Sequence, residues 1–440
     1  METHTIVSQA TPMGHSSIAV VRLSGSRSFE FTESLSGIKK SRKHHDVVLL
    51  PIKNKDGEKI DSGIFTFFSK PNSYTGEEVV EISCHGNPFI VEMIIEHSIF
   101  LGARLAEPGE YTKRAFLNGK LSLSQAESVS LLISSRSRSS AVQNTKNIEG
   151  GASKKVKHIK NCLIKTLSTI EYELDVSEKD EVSKTTSVKL SKLLKNNIID
   201  CKTLLESFSA GTAYSTGFRV VIVGRPNVGK STLMNAMLGL SRSIVSEQAG
   251  TTRDSISHNL IIGGVPITLV DTAGVRETQN KIEIKGVKRT KVEIDRGDIV
   301  ISLFTGDIQP IENIELKNKI NVFTKADIHN YKNVDTSAVF VSAVTGLGLN
   351  ALKKSIKKNI MGLTSYTGDT FINTERQRLA IHSCLESTTS ALSAITKKSP
   401  LFEIAAHESR LAINSLESFL GETTTDEILD RVFSDFCVGK

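Results

Sequence analysis

The segment that most constrains this chain is the octapeptide GRPNVGKS, Gly224 to Ser231, set between an apolar run and a helix-compatible one. It satisfies G-x-x-x-x-G-K-[ST], a loop that works only between a strand and a helix. Gly224 and Gly229 permit the tight turn that points backbone N–H groups at phosphates, aided by the N-terminus of the following helix. Lys230 is placed to supply a cation to the β and γ phosphates, and Ser231 a hydroxyl to magnesium. Around this loop, from Arg219 to about Ile360, strand, loop and helix textures alternate. Near-continuous apolar runs stand at Val220 to Val223, Ile267 to Val270, Ile299 to Phe304, Ile320 to Phe323 and Val339 to Val341, the pattern of a buried, mostly parallel sheet.

Further nucleotide-binding elements follow in order. Ala249 to Asp254 reads AGTTRD in a polar loop, and Asp271 to Gly274 reads DTAG directly after an apolar strand. A hydroxyl such as that of Thr252 can complete magnesium coordination, Asp271 can hold the metal through water, and the Gly274 N–H can reach a γ-phosphate. Choice of base is read from TKAD, Thr324 to Asp327, and from SAV, Ser342 to Val344. The Asp327 carboxylate can accept two hydrogen bonds from the guanine N1–H and exocyclic amine, a pair that adenine does not offer, so the ligand is GTP rather than ATP. Thr324 stands where asparagine is usual, which predicts weaker support between the base loop and the P-loop. Ras-like GTPases put a water-orienting glutamine where this chain has Val275, which leaves Arg276, Glu277 and Glu283 as nearby polar candidates.

The 440 residues exceed one ordinary core, and roughly 150 residues per domain predicts about three. Residues 1 to about 118 mix β-like runs (Ile18 to Leu23, Val47 to Ile52, Ile64 to Phe68, Val79 to Ser83) with turns and a helix near Phe89 to Leu101, an α+β domain. Helical spacing then takes over: Val156, Ile159, Leu163, Leu167, Ile170 and Leu174 form one stripe, and Leu190, Leu194, Ile198, Cys201, Leu205 and Phe208 another. The Ser134 to Ser153 stretch reads as a loop or as a polar helix. Near the C-terminus, Ser399 with Pro400 predicts a helix start, Gly421 a helix stop, and Thr424 with Glu427 a capping box before Ile428 to Phe436. One helix layer cannot bury its own stripe, so helices before 210 and after 375 are expected to pack together with the α/β domain inserted between them. The expected division is 1–118, a discontinuous helical domain of 119–212 with 376–440, and 213–375.

A net charge of +7 suits a polyanionic partner. Between Arg136 and Ala210 there are 14 Lys and Arg against 9 Asp and Glu, a pattern that fits a solvated helical face as well as an RNA contact. Five scattered cysteines with no C-x-x-C pair signal neither a disulfide framework nor a zinc site. No basic-then-apolar leader and no run near the roughly 18 apolar residues of a membrane span are seen, so a cytoplasmic protein is expected.

Outside the α/β segment the chain carries ATPMGHSSIAVVRLSG, PNSYTGEEVVEISCHGN, EPGEYTKRAFLNGKLSLSQAE and a terminal FCVGK. With these the chain resembles the MnmE (TrmE) family of bacterial tRNA-modification GTPases over essentially its whole length. It departs from the family's common GRGG at Gly14 to Ser17 and from HGG at His85 to Asn87. The resemblance implies addition of a carboxymethylaminomethyl-type group to carbon 5 of the tRNA wobble uridine. The implied partners are a flavin-containing protein, MnmG, in a heterotetramer, and a second copy of the chain in a homodimer. The implied donor is a tetrahydrofolate derivative (5-formyl or 5,10-methylene) held by Arg22, Glu81, Lys120 and the terminal Lys440, with Cys437 nearby as either a structural residue or a reactive thiol.

For the nucleotide, the resemblance implies contacts from Asn227, Val228, Gly229, Lys230, Ser231 and Thr232, and from Ser246, Glu247, Gln248, Ala249, Gly250, Thr251 and Thr252. Asp271, Thr272, Ala273, Gly274, Thr324, Lys325, Asp327, Ser342 and Ala343 complete that set. Magnesium falls to Ser231 and Thr252, and potassium to Asn227, Ser246, Gln248 and Thr251. Glu283 matches a water-orienting glutamate and Arg276 an arginine that supports it. A rival reading is a GTP-switched, RNA-binding ribosome assembly factor, which would share the nucleotide motifs but not the flanking ones.

Overall fold

Strand-forming and helix-forming segments separate cleanly along the chain in the computed structural model, which describes residues 4–39, 43–135, 137–176, 184–239, 257–271, 292–306, 318–329, 331, 338–363, 371–397, 399–434, 436 and 439. Internal contacts divide it into two units: Met1–Ser130 with Asn147–Leu194 and Glu386–Lys440, and Leu131–Lys146 with Lys195–Leu385.

The first unit begins with β1 (Ile6–Gln9), β2 (Ser16–Ser24), α1 (Ser28–Ser36), β3 (Val47–Lys53), β4 (Lys59–Phe68), β5 (Val79–Gly86), α2 (Pro88–Phe100), β6 (Arg104–Leu105) and α3 (Glu110–Leu117). The strands form one sheet in the order β3-β4-β5-β2-β1-β6, antiparallel except for the β1–β6 pair. Alternation decides its faces: Ala19, Val21 and Leu23 of β2 join Phe65, Phe67, Val80 and Ile82 in a core closed by Phe31 and Leu35 of α1 and Val91 and Ile94 of α2. Arg22 and Glu81 therefore fall on the opposite face, directly paired across β2 and β5. The α2 helix starts where its capping chemistry requires, with the Asn87 side chain accepting from the Phe89 N–H and Pro88 in the first turn.

The next four elements are all helices: α4 (Leu123–Ile133), α5 (Arg138–Ile148), α6 (Gly151–Val176) and α7 (Lys184–Thr216). The serine-rich stretch thus resolves mainly into a polar helix, ended by Gly150 at a φ of 93°. Val156, Ile159, Leu163 and Ile170 are buried on α6 as the spacing predicts. On α7 the buried line drifts to Asn197, Cys201, Leu204, Ser207 and Ala210, leaving Ile198, Leu205 and Phe208 half-buried. A straight helix buries a fixed angular sector, which on α7 includes the polar Asn197 and Ser207 and passes by some of the apolar residues.

After the α/β segment come α9 (Leu349–Leu363), α10 (Glu375–Ile395), α11 (Phe402–Leu420) and α12 (Asp426–Ser434), with α8 (Lys230–Gly239) following the P-loop. In the first unit α6 and α11 pack together, with Ala405, Ala406 and Ala412 keeping α11 slim. Lys160 pairs with Glu417 at 2.9 Å and also with Glu422, and Arg410 pairs with Glu171 at 2.6 Å. Two expected helix starts move. Leu401, not Ser399, precedes α11 and makes no side-chain cap. Thr424 turns its hydroxyl back to the Gly421 carbonyl instead of forming a capping box, the Thr425 carbonyl accepts the first turn of α12, and that helix ends at Ser434 rather than Phe436. Gly421 does stop α11, at a φ of 86°, and any Cβ there would stand only 2.6 Å from Leu123, so both conformation and space require glycine.

The second unit holds β7 (Phe218–Val223), β8 (Ser257–Ile262), β9 (Val265–Asp271), β10 (Ile299–Phe304), β11 (Lys319–Phe323) and β12 (Val339–Phe340). Their order is β12-β11-β10-β7-β9-β8, parallel throughout except that β8 runs antiparallel to β9. The apolar runs predicted all five parallel strands. β8 escaped because its polar, alternating start lacks that signature, and it joins β9 through Gly263 and Gly264 at φ 61° and 87°, the geometry of a tight hairpin turn. The architecture is thus an α+β N-terminal domain, an all-α helical domain and an inserted α/β P-loop domain. Among the described residues, no helix is long and apolar enough to cross a membrane.

Candidate functional site

The P-loop leaves the carboxyl end of the central strand β7 and enters α8, the place where open parallel sheets bind ligands. Asn227 at φ 62° and Gly229 at φ 96° make the turn. Gly224 serves by size instead, since a Cβ there would stand 2.8 Å from Val228 and 3.1 Å from Leu303. Lys230 is buried, and its ammonium donates to the carbonyls of Gly224 at 2.7 Å and Arg225 at 2.9 Å. Burial pushes the lysine below the usual range, and the Asp271 charge restores part of that shift.

Asp271, at the end of β9 and 3% exposed, accepts a hydrogen bond from the Ser231 hydroxyl at 3.1 Å. A hydroxyl and a carboxylate converging beside a buried ammonium make the hard-oxygen donor set that magnesium favours next to phosphates. Thr232 is exposed at the start of α8, and Val228 is buried beneath the loop.

The TKAD segment is tied to the P-loop directly. Thr324, 4% exposed, donates from its hydroxyl towards the Val228 carbonyl at 2.6 Å and the Phe304 carbonyl at 2.9 Å, while its N–H donates to the Phe304 carbonyl at 2.8 Å. The support expected to weaken with threonine is therefore present: one hydroxyl reaches across to the phosphate loop. The next residue, Lys325, sits at φ 56°, and Asp327 is exposed. The Ala326 N–H donates to the Val341 carbonyl at 3.2 Å, which brings TKAD beside Ser342 and Ala343. Ser342 is fully buried, holding Leu347 through its N–H at 2.9 Å and accepting the Thr345 N–H on its hydroxyl.

In the first unit, Arg22 and Glu81 meet in a bidentate-donor pair, with Arg22 Nη2 and Nε at 2.7 Å and 2.9 Å from one oxygen, Oε1. The guanidinium also donates to the Gly439 carbonyl at 3.3 Å and lies over the rings of Tyr111 and Tyr74 at 5.5 Å and 5.9 Å. The arginine is thus committed to orienting Glu81, whose other oxygen faces no partner among the described residues and is left to accept a hydrogen bond from a donor. Lys120 is exposed, with its ammonium on the Pro71 carbonyl at 3.1 Å.

The same domain holds a polar network that the sequence did not reveal: buried Arg114 pairs with half-buried Glu77 at 3.0 Å and buried Glu110 at 2.9 Å, the exposed Arg104 takes Glu110 at 2.6 Å, and Ser24 bridges Thr75 and Glu77. Tyr74 and Tyr111 lie within the quoted motifs, PNSYTGEE and EPGEYTK, so the motifs carried them without saying what they do. Residues Ser246, Glu247, Gln248, Ala249, Gly250, Thr251, Thr252, Thr272, Ala273, Gly274, Val275, Arg276, Glu277, Glu283, Cys437 and Lys440 lie outside the described residues.

The family model described as GTP-binding protein TrmE N-terminus matches residues 5–120, and that described as MnmE helical domain matches residues 123–437. The chain is 36% identical over 456 residues to the tRNA modification GTPase MnmE of Pseudothermotoga lettingae, covering 99% of each. It is 36% identical over 446 residues to the protein of the same name from Aquifex aeolicus, again covering 99% of each. The Thermotoga maritima protein of that name is 35% identical over 457 residues, with 99% of this chain and 100% of that one covered.

Proposed function

The chain belongs to the MnmE family of tRNA modification GTPases, and from that premise we propose a potassium-dependent GTP hydrolase that acts with a flavin-containing MnmG partner on the tRNA wobble uridine. The product is a carboxymethylaminomethyl-type group on carbon 5, with the one-carbon unit drawn from a tetrahydrofolate derivative. The observation that carries the GTPase reading is the convergence of buried Lys230 with the Ser231–Asp271 hydrogen bond at the mouth of the P-loop. Family membership over both flanking segments supports the modification role over a ribosome assembly factor, which would share only the nucleotide motifs.

In this reading Lys230 and the loop N–H groups bind the phosphates, Ser231 and Thr252 hold magnesium, and Asp327 selects guanine. Magnesium and potassium supply positive charge against the charge that develops during phosphoryl transfer. Asn227, Ser246, Gln248 and Thr251 would hold the potassium, Glu283 would orient the attacking water, and Arg276 would support it. The exposed Asn227 at a positive φ is compatible with that placement. Arg22 orients Glu81 for the folate, with Lys120 and Lys440 completing the contact set. We assign residues 1–118 to folate binding and homodimerisation, 119–212 with 376–440 to the helical domain and 213–375 to the GTPase domain, in a cytoplasmic assembly of two copies with MnmG.

Nucleoside analysis of tRNA from cells lacking the protein tests the reading. Loss of the modified wobble uridine is expected, and an unchanged nucleoside profile overturns the assignment.

A further inference from the structure

We propose that Tyr331, which belongs to none of the recognised nucleotide motifs, is a positioning residue for guanine selection: its hydroxyl holds the peptide that turns the TKAD loop into the conformation presenting Asp327. The proposal rests on the assignment of Asp327 to the base.

Lys325 is not glycine, yet it sits at φ 56°. A side-chain-bearing residue in the left-handed region is strained by about 1 kcal/mol or more and stays there only if its surroundings hold it. The peptide that leads into that turn consists of the Thr324 carbonyl and the Lys325 N–H. Its carbonyl accepts the Tyr331 hydroxyl at 2.6 Å. The same oxygen of Tyr331 accepts the Gly306 N–H at 3.1 Å, so its proton is aimed at Thr324. Phe304 N-terminal to that glycine receives the Thr324 N–H, so both ends of the Thr324 residue are moored to the end of β10.

The ring of Tyr331 is itself fixed. It stands edge-on to Phe323 with centroids 5.0 Å apart and lies 5.6 Å from Phe340 and 6.0 Å from His329. Phe323 and Phe340 end β11 and β12, the strands from which TKAD and SAV emerge. One side chain therefore ties the carboxyl ends of three neighbouring strands to the loop that reads the base. With threonine at 324 the loop has one side-chain hydroxyl for its tether to the P-loop, and the backbone clamp from Tyr331 supplies a second, independent restraint.

Tyr331→Phe in the full chain tests this, because phenylalanine keeps the ring contacts and removes only the hydroxyl. Binding of GDP, IDP and inorganic pyrophosphate is measured by titration calorimetry. IDP lacks the exocyclic amine, and pyrophosphate reports the phosphate loop alone. The expected result is GDP affinity lowered about tenfold, the worth of one to two hydrogen bonds, a preference for GDP over IDP reduced at least about threefold, and pyrophosphate binding unchanged. GDP affinity within about twofold of wild type overturns the proposal. So does equal weakening for GDP, IDP and pyrophosphate, which marks a general packing role. A wild-type chain that fails to prefer GDP over ADP would instead refute the assignment of Asp327, a failure separable from a silent Tyr331→Phe.

Discussion

Replacing Thr324 by valine isolates the hydroxyl that joins the base loop to the phosphate loop. The two side chains have nearly the same shape, so no cavity cost of the kind seen for large-to-small changes is added. Thr324 is buried, and its hydroxyl reaches the Val228 carbonyl at 2.6 Å and the Phe304 carbonyl at 2.9 Å. The Phe304 carbonyl keeps the Thr324 N–H, so the loss concentrates on Val228.

A net hydrogen bond contributes about 1 kcal/mol, and leaving a buried acceptor without that partner raises the cost to about 1–3 kcal/mol. We expect Thr324→Val to lower unfolding free energy by about 1–2 kcal/mol and to weaken GDP binding about five- to tenfold, read by urea unfolding and titration calorimetry. Thr324→Asn, the residue usual in such loops, has an amide donor for the same carbonyl and should bind GDP as well as the wild type. If Thr324→Val matches wild type within about 0.3 kcal/mol in both assays, or if the asparagine variant is weakened equally, the hydroxyl is not the tether.

Asp327→Asn should shift preference from guanosine towards xanthosine nucleotides, because the acceptor pair becomes an amide; unchanged GDP selectivity in competition binding would exclude Asp327 from base reading. Glu283→Ala should lower single-turnover GTP hydrolysis by about 10²-fold with near-normal GTP affinity, and a rate within about threefold of wild type would move water positioning to Arg276 or Glu277. Wild-type hydrolysis should be faster in potassium than in sodium, and equal rates would remove potassium from the mechanism. Arg114→Met removes the guanidinium shared by half-buried Glu77 and buried Glu110, leaving Glu77 its Ser24 hydroxyl and Glu110 its Arg104, and should destabilise by about 3 kcal/mol on urea unfolding.

The same network sets a pH dependence. Burial alone would raise the Glu110 carboxyl, but Arg104, the Glu107 N–H and Arg114 together hold it below the usual range. A depressed folded value means that the unfolded chain takes up the proton first, so this stabilisation is present above the ordinary carboxylate range near pH 4 and is lost as pH falls through the lower folded value. Urea unfolding followed from neutral pH down through pH 4 should show that fall, and Arg114→Met should make it shallower.

Much of the molecule was legible in the letters because its signals are local. GRPNVGKS between an apolar run and a helix dictates strand, loop and helix whatever lies elsewhere, and the apolar runs at 220–223, 267–270, 299–304, 320–323 and 339–341 all became parallel strands. The flanking motifs pointed to the family for the same reason. Other features depended on partners distant in sequence. The starts of α11 and α12 slipped by one or two residues: before α11 the Leu401 N–H bonds the Ala394 carbonyl and Ser399 makes no cap, and before α12 Thr424 spends its hydroxyl on the Gly421 carbonyl. The fate of Thr324 could not be read from its neighbours, since the carbonyl it reaches lies 96 residues earlier in the chain. The resemblance named Arg22 and Glu81 as separate ligand contacts, and only the β2–β5 register shows the arginine bonded to the glutamate, 59 residues away. A motif specifies which groups are available within a few residues, where chain connectivity fixes their spacing. Only the fold decides which of those groups spend their hydrogen bonds on one another, because register and packing are settled by the whole hydrophobic core at once.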